Sequence, residues 1–400
     1  MKVALVHDYI KEYGGAERVL EALHELYPDA PVFTSVYLPK FLGPHRERFK
    51  DWNIKTSWLQ YVPFKHKLIS PFRIISPFVF RQFDLSGFDV ILVSATGAYF
   101  PNAVTTKKKS PQPPFKKGEQ KQSDLKGAVH ICYCHTPPRY LYGYATARDW
   151  KKHRTIAVLT SIANHFLRMT DYSASKNVDY YIANSEEVAG RIRKFYRRES
   201  KVIYPPVDNG ISNFQFQISN FKKRTYYLTG GRLARAKHVG LIVEACSVLG
   251  VPLKIFGRGF AGYEEELKKE LRNNPPAGGQ GSRIELIGEV SDEEKWELMA
   301  GARAFLFASE DEDFGIIPVE AMAAGTTVIA YKSGGVKETV IDGKTGVFFE
   351  ELNAESLKKA ILQFESLKIK SEKCIKRAEM FSKEQFIKNI KHYIEFALKK

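Results

Sequence analysis

The chain predicts an α/β protein of two parallel-sheet domains facing a central cleft, and three observations carry that prediction. Short apolar strands alternate with helical patterns in both halves, the mark of sheets built from strand–helix–strand units. The 400 residues suffice for two domains of ordinary size. The run Pro205-Pro206-Val207-Asp208 reads as the linker between them.

The first half opens on a strand at Val3–Val6, which passes through Gly14-Gly15 into a helix near Ala16–Leu26. Further strands are expected at Val90–Ser94, Val129–Cys134, Tyr180–Ala183 and Lys201–Tyr204. In the second half the same rhythm places strands at Thr225–Thr229, Leu253–Phe256, Ile284–Ile287, Ala304–Phe307 and Thr327–Ala330. Two segments interrupt the pattern. Residues 107–126 are rich in Lys, Pro, Gln and Ser and are expected to form a disordered loop. Residues 209–223 carry the near-repeat Asn213-Phe214-Gln215 and Asn220-Phe221-Lys222 without helical or strand period. The C-terminal pattern Phe386, Ile390, Tyr393, Ile394 and Ala397 is an amphipathic helix that needs an apolar surface to cover.

Composition narrows the function classes. The 61 Lys and Arg against 45 Asp and Glu leave a formal charge of +16, which favours anionic partners: nucleotide, nucleic acid or lipid head group. The four cysteines, Cys132, Cys134, Cys246 and Cys374, are too scattered for a disulfide scaffold. Cys132 and Cys134 share one strand face without a second ligand pair, so they read as core thiols rather than a zinc site. The opening strand reaches Asp8 too soon for a signal peptide. No apolar run approaches the ~20 residues that span a bilayer; the best, Leu68 to Phe83, is broken by Pro71, Arg73, Pro77 and Arg81. A cytoplasmic location is expected.

The segment from Ser309 to Glu320 is the most informative. A buried strand ends before it, Pro318 suits the first turn of a helix, and Gly325 suits its end. A strand turning tightly into a helix aims free backbone N–H groups beyond the sheet edge, where phosphate is favoured. The carboxylates Glu312 and Glu320, eight positions apart, can accept hydrogen bonds from sugar hydroxyls. A sugar joined to a phosphate is therefore the expected ligand.

A second turn, Thr229-Gly230-Gly231-Arg232-Leu233-Ala234-Arg235-Ala236-Lys237, sets two cations, Arg232 and Lys237, on the same sheet edge. Fixed cations there would stabilise a departing diphosphate more than its sugar ester. Solvated charges at a helix entry are the competing reading for such a pair. Gly14-Gly15 lets a substrate approach the backbone closely, or is simply a tight turn. Gly257-Arg258-Gly259 lacks the third glycine and the acidic partner of a dinucleotide fingerprint. His135 ends a strand at the presumed cleft and is a functional candidate. Asp311-Glu312-Asp313 also resembles a metal-binding Asp-x-Asp; because Arg232 and Lys237 can supply the positive charge, no metal and no cofactor are expected.

Together these motifs resemble glycosyltransferase family 4, the retaining, nucleotide-sugar-dependent transferases of GT-B fold. The likeness runs from Gly14-Gly15-Ala16-Glu17 to Gly343-Lys344-Thr345-Gly346, and His130 through Pro137 looks particularly like bacterial and archaeal mannosyltransferases of polysaccharide assembly. The resemblance implies that Glu312 orients the donor sugar, Glu320 binds the ribose, and Arg232 and Lys237 hold the diphosphate. Backbone amides of Phe314, Gly315, Ile316 and Ile317 would assist, with Gly15 near the diphosphate or acceptor. Gly288 to Val290 would line the base pocket, and His135 would touch the transferred sugar. It also implies an acceptor-side domain over 1–205, a donor domain over 206–382, and a last helix, 383–400, crossing back to the first. GDP-mannose is the first expectation for the donor, a UDP-hexose the second, and a glycan or lipid-linked molecule the acceptor.

Leu59 to Phe83 mixes Phe, Ile, Leu and Pro with Lys65, Lys67, Arg73 and Arg81, and residues 191–201 add a second basic cluster. Such surfaces suit an anionic membrane, so peripheral docking on the inner face of the cytoplasmic membrane is expected. A metal-dependent transferase of another architecture would explain the acidic triplet but not the second domain. A non-catalytic nucleic-acid binder would explain only the charge, and no nucleic-acid module is recognisable.

Overall fold

In a computed structural model of the chain, the described residues are 1–106, 127–145, 154–208, 224–260, 262–273 and 284–399. The expected insertions at 107–126 and 209–223 fall outside them. Two α/β domains are present, each on a wholly parallel sheet, as the strand–helix alternation predicts.

The first sheet holds β1 (Val3–His7), β2 (Val32–Thr34), β3 (Ile54–Thr56), β4 (Val90–Ala95), β5 (Val129–Cys134), β6 (Tyr180–Ala183) and β7 (Ser200–Val202). Their order is β3-β2-β1-β4-β5-β6-β7. The second sheet holds β8 (Tyr226–Gly230), β9 (Leu253–Phe256), β10 (Ile284–Gly288), β11 (Ala302–Phe307), β12 (Thr327–Tyr331) and β13 (Gly346–Phe349), in the order β10-β9-β8-β11-β12-β13. Strand order reverses between β1 and β4 and again between β8 and β11. In open parallel sheets the ligand crevice opens beyond the carboxyl ends at such reversals. Register fixes what stands there: Val3 lies opposite Val90 and His7 opposite Ser94.

The central strands of each sheet are buried on both faces, which is why they read as apolar runs. In β1, Ala4 and Val6 pack with Phe80, Ile91 and Val93, while Val3 and Leu5 pack with Val19 and Leu23 of the first helix (Gly15–Leu26). The C-terminal helix (Lys383–Lys399) buries Phe386, Ile390, Ile394 and Ala397 in that second cluster. An apolar side chain buried this way contributes about 1.5–3 kcal/mol. The helix therefore belongs to the core of the first sheet, and Lys383 reaches Glu25 of the first helix at 2.6 Å. The linker is tied to the same crossing, with Val207 N donating to the Phe381 carbonyl at 2.9 Å.

Three strands were absent from the sequence-based expectation: β2, β3 and β13. They have only three, three and four residues, so they offer too little pattern to detect alone, and their sheet neighbours decide their state. All four cysteines are buried free thiols, consistent with core packing. Among the described residues no helix is long and apolar enough to cross a membrane.

Candidate active site

Both strand-order reversals deliver their loops to one seam between the domains. Beyond β11 the chain turns through Ser309–Gly315 into the helix Ile316–Ala323. Gly315 sits at φ +86°, a left-handed conformation that glycine adopts without a Cβ clash. The first N–H groups of the helix have no intrahelical acceptor, so its N-terminus favours an anion. Gly15, across the seam, lies against this turn: a Cβ there would stand 2.5 Å from Ile316 Cδ1. Gly231, at φ +102°, lies against Ile317 so closely that a Cβ would collide with its Cδ1. Phe314 is buried, its ring 5.6 Å from Tyr204 and 5.5 Å from Phe381. Its side chain anchors the loop, which leaves only its backbone for a ligand.

The two carboxylates are arranged alike. Lys237 Nζ donates to Glu312 Oε2, and Ser309 Oγ donates to the same oxygen at 2.6 Å. Burial alone would raise the Glu312 pKa, but the Lys237 and Arg139 cations outweigh it and hold the carboxyl at about 2. Glu320 is 2% exposed. Its Oε1 accepts from Arg18 Nη1 at 2.6 Å and from Lys295 Nζ at 3.0 Å. Burial again works against ionisation, and Lys295 and Arg18 again overcome it, keeping the pKa below the ordinary value. Among the described residues, the hydrogen bonds to each carboxylate converge on one oxygen, Oε2 of Glu312 and Oε1 of Glu320.

Arg232 stands at the same edge with its guanidinium 5.5 Å from the Phe260 ring centre and Nη1 3.3 Å from Glu12 Oε1 across the seam. That ion pair is roughly half exposed and therefore weak, so an anionic ligand can compete for the cation. Gly288 ends β10 at φ +91°, and its carbonyl accepts from Gly257 N at 2.6 Å. Val290 packs half-buried against the second domain's core. Both stand two strands away from β8, at the same carboxyl-end edge. His135 follows β5 and is 9% exposed; its Nε2 lies 2.9 Å from Ser94 Oγ rather than on the donor-side loops. Burial, reinforced by neighbouring His7, pushes its pKa down to about 3, so the ring is neutral.

The tertiary structure adds residues that the sequence-based reading missed. Asp313 Oδ1 accepts from Arg191 Nη1 at 2.5 Å and pairs with Arg139 Nη2 at 2.7 Å, both from the first domain. Arg191 Nη2 also donates to the Asp311 carbonyl at 3.1 Å, and Ala145 N donates to Asp311 Oδ2 at 3.2 Å. The three acidic side chains of the Asp-x-Asp run thus go to separate partners, and among the described residues no group of three or more His, Cys, Asp or Glu is arranged to hold a metal ion. Arg191 corrects one expectation. It is 2% exposed and clamps the acidic loop, so it adds nothing to a basic surface. Arg18 had a signal, because it directly follows the Gly14-to-Glu17 run on the first helix. Asp313 stood in the Asp311-Glu312-Asp313 run, but nothing in the sequence pointed to its arginine partners, and Lys295 had no signal at all, since only the fold sets these contacts.

Two family models match the chain in sequence: glycosyltransferase family 4 over residues 13–210 and glycosyl transferases group 1 over residues 211–381. An uncharacterized glycosyltransferase of Methanocaldococcus jannaschii is 29% identical over 190 residues, covering 48% of this chain and 50% of that protein. The alpha-1,3/1,6-mannosyltransferase ALG2 of Dictyostelium discoideum is 26% identical, covering 54% and 57%. Its Schizosaccharomyces pombe counterpart is 23% identical, covering 86% and 70%. The match thus spans about half the length of the first two of these relatives. Among solved structures, Anabaena HepE in complex with UDP superposes with a TM-score of 0.66 at 18% identity, covering 99% of this chain and 100% of that one. Sucrose-phosphate synthase of Thermosynechococcus elongatus gives 0.69 at 16%, covering 99% and 98%. These two share the fold.

Proposed function

The chain belongs to the family-4 type of glycosyltransferases, and from that premise we propose that it moves a hexose from a nucleotide sugar to a glycan or lipid-linked acceptor, with retention at the anomeric carbon. The observation that supports this most is the matched pair of carboxylates, Glu312 and Glu320, each ionised and each with one oxygen tied to protein cations. Glu312 Oε1 would receive donor-sugar hydroxyls and Glu320 Oε2 the ribose. Arg232 and the N-terminus of the helix Ile316–Ala323 would take the diphosphate. Lys237 would act beside it, sharing its charge with Glu312. Gly288 and Val290 would flank the base, and His135 would meet the transferred sugar. In front-face attack the acceptor oxygen bonds to the anomeric carbon as the sugar–phosphate bond breaks, and the leaving diphosphate takes the acceptor's proton. In this proposal Arg232 and Lys237 would supply the positive charge, and no metal or cofactor is invoked.

Mannose from GDP-mannose is the donor we favour, on the named mannosyltransferases among the relatives. The acceptor side would sit against an anionic membrane on the cytoplasmic face. Trp58, Tyr61, Phe64, Ile74 and Phe78 are all exposed, Tyr61 at 85%, and Lys67 and Arg81 stand among them. Aromatic and basic residues side by side suit a charged interface. Flotation with vesicles that contain or lack anionic lipid tests this; absence of binding at low salt would remove the docking proposal.

The deciding experiment is thermal shift and calorimetry with GDP, UDP, ADP and their sugar conjugates, on the wild type and Arg232→Ala. GDP and GDP-mannose should stabilise the protein selectively, and the variant should bind both more weakly. Selective binding of UDP would replace the donor with a UDP-hexose. Binding of no nucleotide would overturn the transferase reading.

A further inference from the structure

Four buried polar side chains form a chain behind the cleft wall of the first domain. Glu17 Oε1, on the first helix, lies 3.6 Å from His7 Nε2 at the end of β1. His7 Nδ1 lies 3.1 Å from Ser94 Oγ on β4, and Ser94 Oγ lies 2.9 Å from His135 Nε2 after β5. Their exposures are 6%, 0%, 0% and 9%. Glu17 is itself held by the first helix's N-terminus, with Oε2 accepting from Gly14 N at 2.9 Å.

The direction of the hydrogen bonds follows from counting protons. Ser94 has one hydroxyl proton, so it donates to one imidazole and accepts from the other. Which way round is decided at the Glu17 end. Among the described residues His7 Nε2 has no hydrogen-bond partner, and it faces a carboxylate oxygen. A carboxylate attracts an N–H and repels a lone pair, so the proton belongs on His7 Nε2. With a single proton on the His7 ring, its Nδ1 is bare and accepts from Ser94, and Ser94 accepts from His135 Nε2–H. A neutral ring carries one N–H, so His135 Nδ1 is left without a proton. It is also the ring nitrogen not spent on Ser94.

We propose that Glu17, His7 and Ser94 are positioning residues that fix the tautomer of His135, so that its bare Nδ1 accepts a hydrogen bond from a hydroxyl of the transferred sugar. This rests on the transferase reading above. It adds a specificity rule: the sugar must offer a hydroxyl proton at that position, because an analogue lacking it would leave a buried acceptor unpaired.

The test uses the full chain labelled with ¹⁵N-histidine. Long-range ¹H–¹⁵N correlation at neutral pH reports the tautomer, and His135 is assigned by the resonances lost in His135→Gln. The expected result is a proton on His135 Nε2 in the wild type and mixed tautomers in Glu17→Gln and Ser94→Ala. A wild-type proton on Nδ1 overturns the proposal. Kinetically, Ser94→Ala should lower kcat about tenfold with donor KM nearly unchanged, and Ser94→Thr, which keeps the hydroxyl, should restore it. Unchanged kcat in Ser94→Ala also overturns it. The NMR result stands independently of nucleotide binding, so failure of the transferase reading would be seen separately.

Discussion

Arg18 Nη1 of the first helix lies 2.6 Å from Glu320 Oε1 of the opposite domain, with the two side chains 19% and 2% exposed. Lys295 shares the same oxygen at 3.0 Å. Glu320→Ala would leave two cations without their counterion, so it should lower the unfolding free energy by about 3–5 kcal/mol. Arg18→Ala keeps Lys295 on the carboxylate and should cost clearly less. Denaturant titration of both variants measures the difference; equal losses would mean that Lys295 does not compensate.

Glu312→Gln keeps the shape of the side chain and removes its charge. If the carboxylate orients the reacting sugar, kcat should fall on the order of 10²-fold while nucleoside-diphosphate affinity changes little. A depressed carboxyl pKa contributes stability above its ordinary value of 4.5 that is lost as pH falls towards about 2. Glu312 therefore stays ionised through the working range. An acid limb of the pH–rate profile above pH 4 would come from another group and should persist unshifted in Glu312→Gln.

Asp313 is gripped by Arg139 and Arg191 of the first domain, and Ser185 Oγ donates to its carbonyl at 2.5 Å. Removing the carboxylate in Asp313→Ala takes the nearest counterion from a guanidinium that is 2% exposed and leaves it only the longer pair with Glu187 at 3.4 Å. The expected outcome is a lower melting temperature together with a larger radius of gyration in small-angle scattering, as the domains part. A compact, equally stable variant would show that the remaining contacts hold the seam alone.

Asp171 is buried between the Tyr142 and Tyr196 hydroxyls, which donate at 2.8 and 3.2 Å. Burial pushes its pKa up to about 7 despite those two bonds. A carboxyl whose pKa is raised on folding binds more protons folded than unfolded, so stability falls as pH rises from about 4 to about 7. Asp171→Asn mimics the protonated form. The wild type's stability relative to this variant should decline across that window and level off above it, by thermal unfolding at several pH values.

The C-terminal helix separates packing from surface charge. Ile390 is 1% exposed in the first domain's core, and Ile390→Ala should cost about 2–5 kcal/mol. The Lys383–Glu25 pair is nearly half exposed on both sides, so Lys383→Ala should cost under about 1 kcal/mol. Unfolding curves of the two variants give the comparison.

The central strands were legible because each repeats the same demand along the chain. β1, β4, β5, β8, β11 and β12 are buried on both faces, and a continuous apolar run between turn residues is visible in any sequence. The glycines at 15, 231 and 315 and the spacing of Glu312 from Glu320 were legible for a related reason. A close backbone approach or a left-handed turn restricts the residue type at its own position. β2, β3 and β13 were not legible, because a three- or four-residue strand takes its state from the neighbour that pairs with it.

By itself, then, the sequence determined the two parallel-sheet domains and the loops at their strand ends, since these depend on local pattern. What only the tertiary structure decided is how the charges are spent. Arg18 on Glu320, Arg191 on Asp313, Lys237 on Glu312 and Ser94 on His135 join residues 41 to 302 positions apart. An ion pair or hydrogen bond acts over a few ångströms of space and is indifferent to distance along the chain, so no spacing in the sequence could announce it.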